Sequence, residues 1–124
     1  MFPRTRLRRL RQEKFVRELV EESRLAPNDL IFPMFVQEGN NLCTPINAMP
    51  GINRYSKDCL VEEAKSLVDL QIPAIALFPV ITLDKKSNCA SEAFAENGLI
   101  QQTIALLKKE VPTLGIISDV ALDP

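Results

Sequence analysis

No histidine occurs anywhere in the 124 residues. This excludes a Ser-His-Asp triad, a Cys-His pair, an HExxH zinc site and an imidazole proton shuttle within the chain. Glycine is scarce as well. Gly39, Gly51, Gly98 and Gly115 form neither GxGxxG nor GxxxxGK[ST], so dinucleotide-binding and P-loop chemistry fail on spacing. Cys43, Cys59 and Cys89 make no CxxC pair, which removes a zinc knuckle and a thioredoxin-type motif. An odd, scattered set of thiols fits a reducing compartment. No apolar stretch approaches the ~20 residues of a membrane span, and no signal-peptide core follows Met1, so the expected location is cytoplasmic. Nor is there an excess of charge: 15 Lys plus Arg against 16 Asp plus Glu give a net charge of -1, and nothing in that total argues for a nucleic-acid or membrane partner. Chemistry is left to carboxylates, lysines, hydroxyls or a supplied metal.

What is present is an ordinary globular balance, 46% hydrophobic and 25% charged, enough for one domain at most. The charge is unevenly placed. Residues 1–24 hold eight basic and four acidic side chains, against seven and twelve in the remainder. Leu7, Leu10, Phe15, Leu19 and Val20 recur at helical spacing in this basic head and predict a helix near 11–25 ended by Pro27. Its arginines read as a solvated or salt-bridged arm. The nucleic-acid alternative is weakened by the lack of aromatic residues among them.

From Leu30 to Val36 a short apolar run predicts a strand buried on both faces, with Pro33 as a complication. Residues 37–55 read as a long loop. Ser56 is placed to cap a helix with Leu60, Val61, Ala64, Leu67 and Val68 on one face and a Lys65/Asp69 pair on the other. Ala74–Val80 predicts a second strand, Gly98–Lys109 a second amphipathic helix burying Leu99, Ile100, Ile104 and Leu107, and Leu114–Val120 a third strand. Strands starting about 40 residues apart with helices between them predict right-handed βαβ crossovers in a parallel sheet. A buried parallel strand at the end of the chain would lack a neighbour. The expectation is therefore the front part of a larger domain, such as a (β/α)8 barrel of about 250 residues.

In such an architecture the carboxyl ends of the strands form the active-site face. Asp119 and Asp123, four apart at the end of the third strand, are placed for metal or substrate binding, or for capping a following helix.

Five blocks occur in order: Arg6–Arg11, Leu30–Gly39 (LIFPMFVQEG), Met49–Ser56 (MPGINRYS), Ala76–Val80 (ALFPV) and Ser118–Pro124 (SDVALDP). Together they resemble the N-terminal portion of the porphobilinogen synthase (5-aminolevulinate dehydratase) family, over essentially the whole chain. Gln71 and Pro73 depart from it, flanking a turn where glycine is usual. The resemblance implies an N-terminal arm over residues 1–28 and the first part of a (β/α)8 TIM barrel over 29–124, with about three βα units. It also implies a homo-octamer in which the arm embraces a neighbouring subunit.

The implied reaction condenses two 5-aminolevulinate molecules to porphobilinogen with loss of two waters. It uses two Schiff-base lysines on later strands, so this stretch alone is expected to be inactive. None of Lys57, Lys65, Lys85, Lys86, Lys108 and Lys109 matches those positions. By the family motif Asp119 is the catalytic-site carboxylate. Ala121 and Asp123 stand where zinc-requiring members carry cysteines, which implies Mg²⁺ held by Asp123, or no active-site metal, over zinc. The competing readings are a receiver-like signalling domain, whose five strands this chain does not supply, and a non-enzymatic interaction module.

Overall fold

The computed structural model describes residues 3–5, 7–119 and 122. Its centre is a five-stranded mixed sheet of β1 (Ile31–Val36), β2 (Cys43–Pro45), β3 (Asn53–Tyr55), β4 (Ala74–Pro79) and β5 (Gly115–Ser118), in the order β2-β3-β1-β4-β5. β1 is parallel to β3 and β4, β4 is parallel to β5, and β2 runs antiparallel to β3. The three long apolar runs are thus the three strands expected. The segment read as a loop between residues 37 and 55 instead contains β2 and β3. Three-residue strands carry too little pattern to be seen. They exist because Cys43 pairs with Tyr55 and Pro45 with Asn53, fixing a narrow ribbon on the sheet edge.

Pro33 sits in β1 without leaving a gap on the β3 side. β3 pairs with β1 only at Phe35 and Val36, so no ladder bond is missing there.

Two helices cover one face: α3 (Lys57–Asp69) and α4 (Leu99–Glu110). Strand alternation turns Met34 and Val36 of β1 and Ile75 and Leu77 of β4 toward them, against Leu60, Val61, Ala64 and Leu67 of α3 and Leu99 and Leu107 of α4. Each such aliphatic side chain contributes roughly 1.5–3 kcal/mol by leaving water, which outweighs any helix propensity and fixes which face turns inward. Thr103 is also buried, its hydroxyl donating to the Leu99 carbonyl at 2.6 Å. Ile100 and Ile104, expected in the core, are only half-buried. Lys65 pairs with Glu62 at 2.8 Å rather than with Asp69, so the expected i,i+4 bridge is replaced by an i,i+3 one. Ser56 takes the cap position of α3, but its hydroxyl makes no bond to the helix backbone and serves the preceding loop instead.

α3 ends in a left-handed cap. Gln71 has φ of 62°, its N–H donates to the Val68 carbonyl at 2.9 Å, and the Ile72 N–H donates to the Leu67 carbonyl at 3.0 Å. These two bonds form the Schellman arrangement, with Gln71 where glycine is the unstrained choice. The turn ends at Pro73 and launches β4.

The other sheet face carries Ile31, Pro33, Phe35, Ala74, Ala76, Phe78 and Ile117, and among the described residues neither α3 nor α4 lies over it. Phe35 and Phe78, paired in register, stack with ring centroids 5.6 Å apart. Residues 1–28 do not form the expected single helix. Two short ones are present, α1 (Arg9–Gln12) and α2 (Lys14–Leu19), with Glu13 extended between them and helical structure ending before Val20. Neither buries a residue or has a side-chain cap, and helices this short are marginal without a surface to pack on.

Candidate functional site

Parallel α/β sheets place their chemistry at the carboxyl ends of the strands. Here that rim is made by the segment after β1, the long connection from Val80 to Gly98 after β4, and Asp119 after β5. The register pairs Leu77 with Ser118. Asp119 follows at once, at the carboxyl end of β5. Asp119 is exposed there. A carboxylate at the carboxyl ends of parallel strands is the kind of group that meets a cationic or hydrogen-bonding ligand. Asp123 and Ala121 lie outside the described residues, so the structure does not place the second carboxylate. Among the described residues no three Cys, Asp or Glu side chains gather as a metal cluster.

The segment after β1 is tied down by a polar network that the sequence did not reveal. The Gln37 N–H donates to the Tyr55 carbonyl at 2.8 Å, and its side-chain amide donates to Thr44 Oγ1 at 2.9 Å. Asn41, at φ of 52°, donates its N–H to Asp58 Oδ2 at 2.7 Å. Leu42 N–H donates to Ser56 Oγ at 2.9 Å, and that hydroxyl donates to Asp58 Oδ1 at 2.5 Å. The Ser56 hydroxyl, with the Asn41 N–H second, holds the Asp58 carboxyl below the usual carboxylate range. Next to this loop, Lys85 pairs with Glu38, which links the β1 and β4 connections. A clue was available in the polar Gln37-Glu38-Gly39 directly after a buried strand, but its partners are distant in sequence.

The lysines stand as follows. Lys57 and Lys65 lie on α3, Lys85 closes a 3-10 turn with Lys86 after it, and Lys108 and Lys109 end α4. Glu62 raises the pKa of Lys65 and Glu38 raises that of Lys85, the opposite of the depression an amine nucleophile needs.

Comparison with known proteins decides the family. Residues 4–124 match the family model for delta-aminolevulinic acid dehydratase. The chain belongs to this family. It is 43% identical over 119 residues to the delta-aminolevulinic acid dehydratase of Bradyrhizobium diazoefficiens, covering 96% of this chain and 34% of that protein. With the dehydratase of Methanothermus sociabilis it shares 44% over 121 residues, 98% of this chain and 37% of the relative. Among solved structures it resembles the dehydratase (porphobilinogen synthase) of Toxoplasma gondii ME49 in complex with its product porphobilinogen. The TM-score is 0.86 and the identity 36%, over 95% of this chain and 33% of that one. This dehydratase-family chain therefore spans about a third of the length of the relatives it matches, and its α/β fold matches the corresponding part of a dehydratase barrel. The signalling-domain alternative is not favoured by these matches.

Proposed function

We propose that the full-length protein is a porphobilinogen synthase, condensing two 5-aminolevulinate molecules into porphobilinogen with loss of two waters. The observation that supports this most is the family match across residues 4–124, with Asp119 exposed directly after β5. In this reading the covalent step belongs to lysines outside the 124 residues, because the local lysines sit on helices and turns and two have raised pKa values. Asp119 supplies a fixed negative charge at the strand rim, where it stabilises positive charge developing on a substrate nitrogen. The Phe35–Phe78 stack near the same ends of β1 and β4 offers an apolar wall that would keep water from that nitrogen.

The donor set favours a hard cation. Asp119 offers oxygen, as Asp123 would, and neither offers the thiolate that zinc prefers, so Mg²⁺ with Asp123 as its ligand fits better than zinc. Mg²⁺ would supply Lewis acidity there. The exposed arm is the proposed contact to other subunits of a homo-octamer, and the cytoplasm the proposed location.

In the full-length protein Asp119→Asn should lower kcat by about 10²-fold or more, the scale of losing a positioned catalytic group, with a smaller change in KM. Wild-type activity should fall after chelation and return with Mg²⁺. Full turnover by Asp119→Asn, or restoration by zinc and not magnesium, refutes the corresponding part. The 124-residue stretch alone should form no porphobilinogen above a no-protein control.

A further inference from the structure

On the helix-covered side of the rim, between the amino ends of α3 and α4, lies a cleft of about 340 Å³. It is lined by Glu38, Asn40, Lys57, Lys85, Asn97 and Gln102, with Gly39 and Leu99 completing it. Its lining is polar and its charges are unequal. Lys85 is neutralised by Glu38. Lys57 is not neutralised: its ammonium donates at 2.6 Å to the neutral Gln102 Oε1, and among the described residues no carboxylate forms an ion pair with it.

Three further carboxylates, Asp58, Glu92 and Asp84, do not line the cleft but adjoin or hydrogen-bond residues that do, and each is engaged by another group. Asp58 accepts from the Asn41 N–H and the Ser56 hydroxyl. Glu92 Oε1 accepts from the Leu99 N–H at 3.4 Å. The Thr82 hydroxyl holds the Asp84 carboxyl below its ordinary pKa. The two helix ends are therefore already met by acidic groups and supply no free anion site of their own, leaving Lys57 as the unneutralised charge. Around it stand three side-chain amides, of Asn40, Asn97 and Gln102.

We propose that this cleft binds a compact oxyanion, a carboxylate or phosphate group of a small molecule, with Lys57 as its principal contact. The anion displaces Gln102 Oε1 from the ammonium, so that a bond charged on the donor alone becomes an ion pair charged on both sides. The Gln102 amide nitrogen donates to the Asn97 carbonyl at 2.6 Å and keeps one N–H for the anion, and the side-chain amides of Asn97 and Asn40 can donate to the remaining oxygens. The position suits a ligand site, at the carboxyl ends of parallel strands in the crevice between two connections. Asp119 is not among its lining residues, and the site does not depend on the proposed condensation.

The test is an NMR titration of the isotopically labelled chain with sodium phosphate and, separately, sodium acetate, at constant ionic strength held with sodium chloride. Saturable shifts are expected at Gly39, Asn40, Lys57 and Asn97 to Gln102, and the better-binding anion identifies the source. Lys57→Gln should weaken binding at least tenfold and Asn97→Ala to a lesser degree, whereas Lys57→Arg should retain it. Arg9→Gln with Arg11→Gln in the arm should leave it unchanged. Absence of saturable shifts for both anions, shifts confined to the arginine-rich arm, or an affinity for Lys57→Gln within twofold of wild type would overturn the proposal.

Discussion

Replacing Gln71 by glycine should stabilise this protein. Gln71 has φ of 62°, and its side chain is exposed, so glycine removes no packing contact. A non-glycine residue in the left-handed region carries a steric penalty of about 1–2 kcal/mol, from Cβ against the carbonyl oxygen. Glycine gives back roughly 0.5–1 kcal/mol of that through the greater freedom of the unfolded chain. The net gain is about 0.5–1 kcal/mol. With the melting-temperature response expected for a domain of this size, that is a rise of about 2–6 °C. Gln71→Ala keeps the Cβ and should stay within about 0.5 kcal/mol of wild type, as ordinary surface changes do. Gln71→Val should destabilise, since a β-branched side chain tolerates this conformation worst. Scanning calorimetry or urea denaturation of the three variants reads the order Gly above Gln and Ala, with Val last. A glycine variant no more stable than wild type would refute the strain argument. It would mean that the two Schellman bonds, from Gln71 and Ile72 to Val68 and Leu67, relax the turn without loss.

The parts of this fold that were legible share one property: they are long enough to bury a continuous apolar set. β1, β4 and β5 announced themselves as runs of Ile, Leu, Phe and Val, and α3 and α4 as stripes recurring every three or four residues. Where pattern and packing separate, reading the sequence failed. Leu7, Leu10, Phe15 and Leu19 keep helical spacing, yet nothing lies beneath them, and the helix breaks at Glu13. β2 and β3 are made by pairing between residues some ten positions apart, and one of their residues is a proline. Asp119 was singled out for an expected position at a strand end, and it does follow β5 directly. Lys57 with Gln102 and Lys85 with Glu38 join residues more than forty positions apart, so no local motif announces them.

Two further outcomes follow from named contacts. The Asp58 carboxyl titrates below its ordinary value in the folded state. Its stabilising effect is therefore fully present above the unfolded pKa, near 3.8, and is lost as pH falls through the lower folded one. Asp58→Asn should accordingly flatten the fall in urea midpoint between about pH 5 and 2, and an unchanged acid limb would contradict the Asn41–Asp58–Ser56 network. The arm is the last case. Leu7 is 94% exposed and Leu19 and Leu25 are each 80% exposed, large apolar side chains on and beside two short helices that bury nothing. Burying each would yield on the order of 1.5–3 kcal/mol, so a covering surface on another subunit gains far more than the arm gains in water. The head is basic and the body acidic, so the same contact should weaken as salt screens it. Deleting residues 1–26 from the full-length protein should lower the particle mass in light scattering. Added sodium chloride should shift the wild type part of the way in the same direction. A truncated protein that keeps the wild-type mass at every salt concentration would show that the arm's leucines are not what joins the subunits.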